Sequence, residues 1–258
     1  MEKRFTRTEL LLGKEPLNRL AASSVVIAGL GGVGAYAAEA LVRSGVGYVR
    51  LVDFDHIKYS NFNRQLLAVE DSLGQRKVDV AAMRLKQINP DCIIDKQPVF
   101  IDQSNAAGLI DGMDVVIDAI DSVSSKVSFL VRAVTDKKMV VSSMGAAARM
   151  DPLLVRTGDI SESRICPLAR IIRKRLHRQN VYTGIRCVYS IEPVDTAMVS
   201  EMDGEESFQR GRERPSLGSI SYMPAVFGLV AAHEAIRLLV KRSAEDNEAV
   251  TDLAAGSF

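Results

Sequence analysis

Residues 25–34 read Val25-Val26-Ile27-Ala28-Gly29-Leu30-Gly31-Gly32-Val33-Gly34, and an alanine- and leucine-rich run, Ala35 to Val42, follows at once. The apolar run is the signature of a buried strand, the glycines that of a tight turn, and the run after them that of a buried helix. Gly29, Gly31, Gly32 and Gly34 therefore form a GxGGxG loop between a strand and a helix. At such a loop the backbone can approach a phosphate, and the helix start supplies unpaired N–H groups and partial positive charge. The next apolar run, Tyr48 to Val52, ends in Asp53, 19 residues beyond Gly34, where a carboxylate can hold ribose hydroxyls. Loop and acid together predict a nucleotide crevice and leave NAD, FAD and ATP open.

Outward from this unit, strand-like and helix-like segments alternate. Val78, Ala81, Ala82, Leu85 and Ile88 keep helical spacing, as does the run Val127 to Val134. Ile93-Ile94, Val115-Val116-Ile117 and Met139-Val140-Val141 read as strands. The alternation predicts an α/β fold, Rossmann-like and doubly wound, with a mostly parallel sheet covered on both faces. After about Met150 the pattern changes to two strand-like runs, Leu153 to Val155 and Ile185 to Tyr189, around a basic helical segment, which predicts an additional C-terminal mixed sub-domain. The expected division is a nucleotide-binding unit with an N-terminal arm at 1–150, a basic sub-domain with a closing C-terminal helix at 151–243, and a flexible tail at 244–258. Glu192 to Gln209 carries six acids and no Lys or Arg, the composition of a mobile loop. Pro224 opens the closing helix, with Val226, Leu229, Val230, Ile236 and Val240 on one side.

Composition excludes several classes of function. With Lys+Arg 33 against Asp+Glu 32 and 47% hydrophobic residues, the chain is neither disordered nor built to bind a partner through net charge alone. The cations at the start lead into no apolar run of signal-peptide type, and the apolar stretch Ala225 to Ala232 stops at His233-Glu234, short of the ~20 residues of a span. A cytoplasmic protein with no membrane partner is the expectation. Cys92, Cys166 and Cys187 form no CxxC pair, so neither a disulfide framework nor a zinc knuckle is signalled.

Chemistry gathers around the predicted crevice. Asp53-Phe54-Asp55-His56 runs into Asn61-Phe62-Asn63-Arg64-Gln65, and Arg76 and Lys77 open the next helix. A cation there is disfavoured by the macrodipole by ~0.3–1 kcal/mol, so the placement points to a bound anion such as a triphosphate. Asp118 and Asp121 lie at the carboxyl end of a strand, where one could hold Mg²⁺ on phosphates, or where Asp121 or Ser122 could cap the following helix. From Ser163 to Ile191 there are seven basic residues and no acid. On a helix Leu168, Ile171, Ile172 and Leu176 share one face; Arg170, Arg173, Lys174 and His177 gather opposite with Arg178 at the flank, a phosphate-binding face for RNA.

Taken in order, Arg4 to Arg7, Gly29-x-Gly31-Gly32-x-Gly34, Asp53-x-Asp55, Asn61-x-x-Arg64-Gln65, Gly74-Gln75-x-Lys77 and Asp118-x-x-Asp121 resemble the ubiquitin-activating-enzyme-like adenylyltransferases over about residues 4–150. The resemblance implies ATP and Mg²⁺ as cofactors. It implies that Asp53 binds ribose beside Asp55 and Gln65, that Asn61, Arg64 and Lys77 bind phosphates, and that Asp121 holds magnesium. It further implies a homodimer in which Arg7 reaches into the partner's site, giving Arg7, Arg64, Lys77 and Asp121 as the catalytic set. The implied reaction is attack of a substrate carboxylate on the α-phosphate of ATP, giving an acyl-adenylate and pyrophosphate. Two departures, the missing CxxC pairs and the basic segment, count against a ubiquitin-like carrier as substrate. With Phe5-Thr6-Arg7, Leu11-Leu12-Gly13 and Arg149 to Pro152, they resemble the family's tRNA-modifying branch, in which a carboxylate on a tRNA adenosine is activated and cyclised. The partners implied are tRNA and a second copy, with a sulfur-transfer protein as a further candidate. Cys187, on a predicted strand, reads as a buried small hydrophobe rather than a thioester former.

Overall fold

The computed structural model describes residues 3–194, 199–200 and 216–255. The five apolar runs of the first half form β1 (Ser24–Ala28), β2 (Tyr48–Val52), β3 (Ile93–Gln97), β4 (Val115–Asp118) and β5 (Met139–Ser143). They alternate with α3 (Gly34–Arg43), α4 (Lys77–Ile88), the short α5 (Ala106–Ile110) and α6 (Val123–Thr135), after α1 (Thr6–Leu12) and α2 (Lys14–Ala22). The expected N-terminal arm is thus helical from Lys3 on, a 3-10 turn running into α1. The second half adds β6 (Val155–Asp159), α7 (Pro167–His177), β7 (Arg186–Ser190), a ribbon of β8 (Val199–Ser200) and β9 (Ser216–Leu217), and α8 (Tyr222–Ala255).

The main sheet has the order β3-β2-β1-β4-β5-β7-β6. All pairs are parallel except β6 with β7. The chain leaves β1 in one direction through β2 and β3 and returns to build β4 and β5 on the other side, so β1 and β4 flank a switch point whose carboxyl ends open a crevice. The mixed C-terminal portion is no separate layer, since β7 hydrogen-bonds to β5 and continues the same sheet. Leu153 and Leu154, expected in a strand, lie in a 3-10 turn opened by Pro152, and the strand begins at Val155. From residue 195 on, the acidic stretch lies outside the described residues apart from Val199 and Ser200.

Alternate strand residues feed two cores. Val25, Ile27, Leu51, Ile117 and Val188 face α3, α4 and α8, whereas Val26, Ala28, Val116, Val140 and Cys187 face α5, α6 and α7. The buried stripe of α8 is Met223, Phe227, Ala231, Ala235 and Leu239, offset from the expected side: Leu229 is exposed. The stripe shifts because Gly228 lets α8 approach α3 so closely that a Cβ there would overlap the Val33 carbonyl oxygen. By length and composition Tyr222–Lys241 could cross a membrane, which the apolar run ending at Ala232 did not suggest. Here that apolarity lies against the sheet, and the interrupting Glu234 is buried and paired with Arg186 at 2.8 Å. α8 runs on through Ala255, a stretch without Gly or Pro to stop it.

Gly228→Ala will force α3 and α8 apart at a cost of about 1–3 kcal/mol. Thermal unfolding will show a lowered Tm, and an unchanged Tm would remove the close approach as the reason for glycine there.

Candidate active site

The glycine loop is shaped by what surrounds it. Gly29 has φ 90°, and a Cβ on it would lie 2.6 Å from the Ala119 carbonyl oxygen, while a Cβ on Gly34 would overlap Gly29 O. These two glycines let the β1 turn close against the segment that follows β4. Gly32 is packed under Pro224 of α8, whereas Gly31 meets only the Gln65 amide at ordinary contact distance, which makes it the point of phosphate approach. No side chain caps α3; Ala35 N donates to Gly31 O at 3.3 Å, and the Gly34 N–H opens the helix without a side-chain cap.

Asp53, at the end of β2, is buried. Its Oδ2 accepts from Leu30 N at 2.6 Å and its Oδ1 from Asp55 N at 2.8 Å, so it ties the strand end to the glycine loop. Burial pushes its carboxyl above the ordinary value, with the Lys77 charge and the two backbone donors opposing. Each carboxylate oxygen keeps a further lone pair for a ribose hydroxyl. Lys77 is buried at the start of α4, its Nζ 3.0 Å from Asp55 Oδ2. A carboxylate of the chain thus stands beside the Lys77 ammonium at the helix start, and Arg76 is exposed.

Asn61 is buried and accepts from Lys58 N at 3.1 Å. Arg64 Nη1 donates to Ser60 O and Asn63 Oδ1, both at 2.8 Å. Gln65 is buried beside Gly31, and its Oε1 has no hydrogen-bond partner among the described residues. An unsatisfied buried polar atom costs about 1–3 kcal/mol, and a nucleotide lying on Gly31 would bring donors to it. Glycine loop, buried acid, lysine and orphaned amide thus fit a nucleotide.

Asp118 and Asp121 separate cleanly. Asp118 and Lys126 are both 0% exposed and 2.8 Å apart; Ser142 Oγ donates to Asp118 Oδ2 at 2.6 Å and Ile120 N to Oδ1 at 3.1 Å. Lys126 Nζ also donates to Ile120 O at 3.0 Å. Asp118 is therefore committed to the interior, whereas Asp121 is exposed. Ser122 stands at the N-cap of α6 without a side-chain hydrogen bond. Lys126 and Ser142 escaped the sequence reading, although Lys126 shares the apolar face of Phe129, Leu130 and Ala133, where a charge needs a buried partner. Burial drives the Cys187 thiol well above its ordinary range, which suits a core residue and not a thiolate. Arg7 lies elsewhere: Phe5 packs beside Gly45 and Arg4 donates to Ile88 O, at the amino ends of the strands and away from this crevice.

Helix α7 buries Ala169, Ile172 and Leu176, while Ile171, expected on that face, is exposed. Arg170, Lys174, Arg175 and Arg178 are exposed. Arg173 is partly withdrawn from the face, its Nη1 donating to Ser163 O, Ser163 Oγ and Ile160 O. A cavity of about 310 Å³ opens beside Arg164 and Arg170 at the start of this helix.

The model of the ThiF family matches residues 5–255. The chain belongs to the ThiF family. Within it, the chain is 35% identical over 245 residues to the tRNA threonylcarbamoyladenosine dehydratase of Bacillus subtilis, covering 93% of this chain and 96% of that one. The solved structure of the Escherichia coli tRNA N6-threonylcarbamoyladenosine dehydratase in complex with ATP superimposes with a TM-score of 0.84 at 31% identity, covering 94% and 96% of the two chains. A more distant likeness is the adenylyltransferase and sulfurtransferase MOCS3 of Drosophila willistoni, 30% identical over 92% of this chain but 45% of that one.

Lys126→Met will leave Asp118 as an uncompensated buried charge and destabilise the fold by about 3–5 kcal/mol. Urea unfolding will register this as a lower midpoint; a midpoint equal to wild type would mean that the pair is not closed in solution.

Proposed function

We propose that the protein is an ATP-dependent tRNA threonylcarbamoyladenosine dehydratase that cyclises the modified adenosine through an acyl-adenylate. The observation that carries this is similarity to dehydratases along almost the full length of both chains, on a crevice whose residues fit a nucleotide. Asp53 accepts the ribose hydroxyls, and Arg64, Lys77, Asn61 and the start of α3 hold the phosphates. Mg²⁺ held at Asp121 and phosphate oxygens would neutralise charge on the triphosphate. The substrate carboxylate attacks the α-phosphate, a C–O–P bond forms, and the bond to the β-phosphate breaks with release of pyrophosphate. A nitrogen of the threonylcarbamoyl group then attacks the activated carbonyl, losing its proton as AMP leaves. The net change in the tRNA is loss of one water, and no nucleophile of the protein is required.

The exposed face of α7 suits the phosphate backbone of tRNA, and a cytoplasmic location away from membranes goes with that substrate. A homodimer accounts for Leu10 and Leu11, 82% and 83% exposed on the helix that carries Arg7, and for an Arg7 that serves a site other than its own. Likeness to MOCS3 favours the second reading, activation of a ubiquitin-like sulfur carrier, and would bring a sulfur-transfer protein as partner.

The deciding assay is AMP and pyrophosphate release from ATP with and without tRNA, followed by nucleoside mass analysis. Stimulation by tRNA with loss of about 18 Da from the modified adenosine is expected, one water being fixed by the reaction; stimulation only by a carrier protein would establish the second reading. Charge reversal at Arg170 and Lys174 will weaken tRNA binding and lower the slope of log affinity against log salt by about one to two units. An unchanged slope would return α7 to an ordinary solvated surface.

A further inference from the structure

Arg149 is a buried cation whose position the reaction above does not use. It follows β5, in the loop that leads from the sheet to the 3-10 turn at Pro152, and it is 2% exposed. A guanidinium keeps its charge at any physiological pH, so burial without a counter-charge is costly. Its only hydrogen bond among the described residues runs from Nη1 to the neighbouring Ala148 O at 3.2 Å, and Nε, fully enclosed, has no acceptor. No carboxylate of the described residues pairs with it. Glu192, which holds the next two residues, gives its oxygens to the N–H groups of Met150 and Asp151. By contrast Lys77, Lys126 and Arg186 each have a carboxylate at 3.0 Å or less.

The loop is joined to the nucleotide site by hydrogen bonds. Ala148 N donates to Gly218 O at 2.8 Å, Asn63 Nδ2 donates to Ser219 O at 3.1 Å, and Asn63 Oδ1 accepts from Arg64. Across the sheet, Asp53 follows β2, the glycine loop follows β1, Asp121 follows β4 and the Arg149 loop follows β5. Ribose, phosphate and metal positions are thus taken in order, and the next strand end along the crevice carries a guanidinium with no carboxylate partner among the described residues.

We propose that Arg149 binds the carboxylate of the threonylcarbamoyl group and presents it to the α-phosphate. A planar carboxylate matches the fork of N–H donors, and the phosphates already have Arg64, Lys77 and the helix start. The inference rests on the dehydratase reading and adds to it the residue that selects an acid over a neutral side chain.

The test compares wild type, Arg149→Gln and Arg149→Lys, with tRNA and with two nucleosides, threonylcarbamoyladenosine and its methyl ester. Loss of a charge-assisted hydrogen bond predicts a rise of about tenfold or more in KM for tRNA in Arg149→Gln, with ATP affinity unchanged and partial recovery in Arg149→Lys. Wild type will bind the acid more tightly than the ester, and Arg149→Gln will not distinguish them, a loss that a merely structural role would not produce. Weaker ATP binding with an unaltered KM for tRNA would assign Arg149 to a phosphate and overturn the proposal, as would unchanged kinetics. Should Arg149→Gln fail to fold, the comparison of acid and ester on wild type decides, and equal affinities overturn it. Wild type that neither binds the nucleosides nor converts the tRNA would instead sink the dehydratase reading itself.

Discussion

The buried contact between Asp118 and Lys126 is the constraint against which both halves of the crevice are built. Two charges without solvent contact give little net stability, because desolvation offsets most of their attraction. What they do supply is geometry. Lys126 reaches back to Ile120 O while Asp118 takes Ile120 N, so the turn after β4 is held from inside on both its donor and its acceptor. Ala119 O is thereby set against Gly29, and the glycine loop, Asp53 and Asp121 take their places from that fixed turn.

The first half of the fold was legible because its strands are buried on both faces and its glycines have no other use. Val25 to Gly34 and Asp53 announced a nucleotide crevice without any knowledge of pairing order. The part that stayed hidden depends on long-range partners. Nothing local says that Asp55 neutralises Lys77, that Ser142 and Lys126 enclose Asp118, or that Gln65 lies beside Gly31, since each contact joins segments well separated in sequence. Lys126 left a trace as a charge on an apolar helix face, and Arg149 left none, because a loop arginine is usually solvated.

The basic segment shows the same division within a single helix. Periodicity located α7 and the side that carries its charges, but it could not tell which arginines the fold would use. Arg173 holds the 160–163 turn and Arg186 answers Glu234 of α8, so a run of charge that looks uniform in sequence divides into structural cations and an exposed set. Ile171 was misplaced as well: α7 buries the side that carries Ala169, Ile172 and Leu176 and leaves Ile171 exposed.

The contact of Pro224 with Gly32 carries a consequence for biosynthesis. The glycine loop emerges early from the ribosome, yet one wall of it is supplied by the last helix of the sheet domain, which also seals β5 and β7. A nascent chain that has completed β1 to β5 holds every residue expected to touch the nucleotide and still lacks the surface that Pro224 lays against Gly32. The final packing of the glycine loop therefore follows the synthesis of α8, and one face of the sheet stays unsealed until that helix has been made.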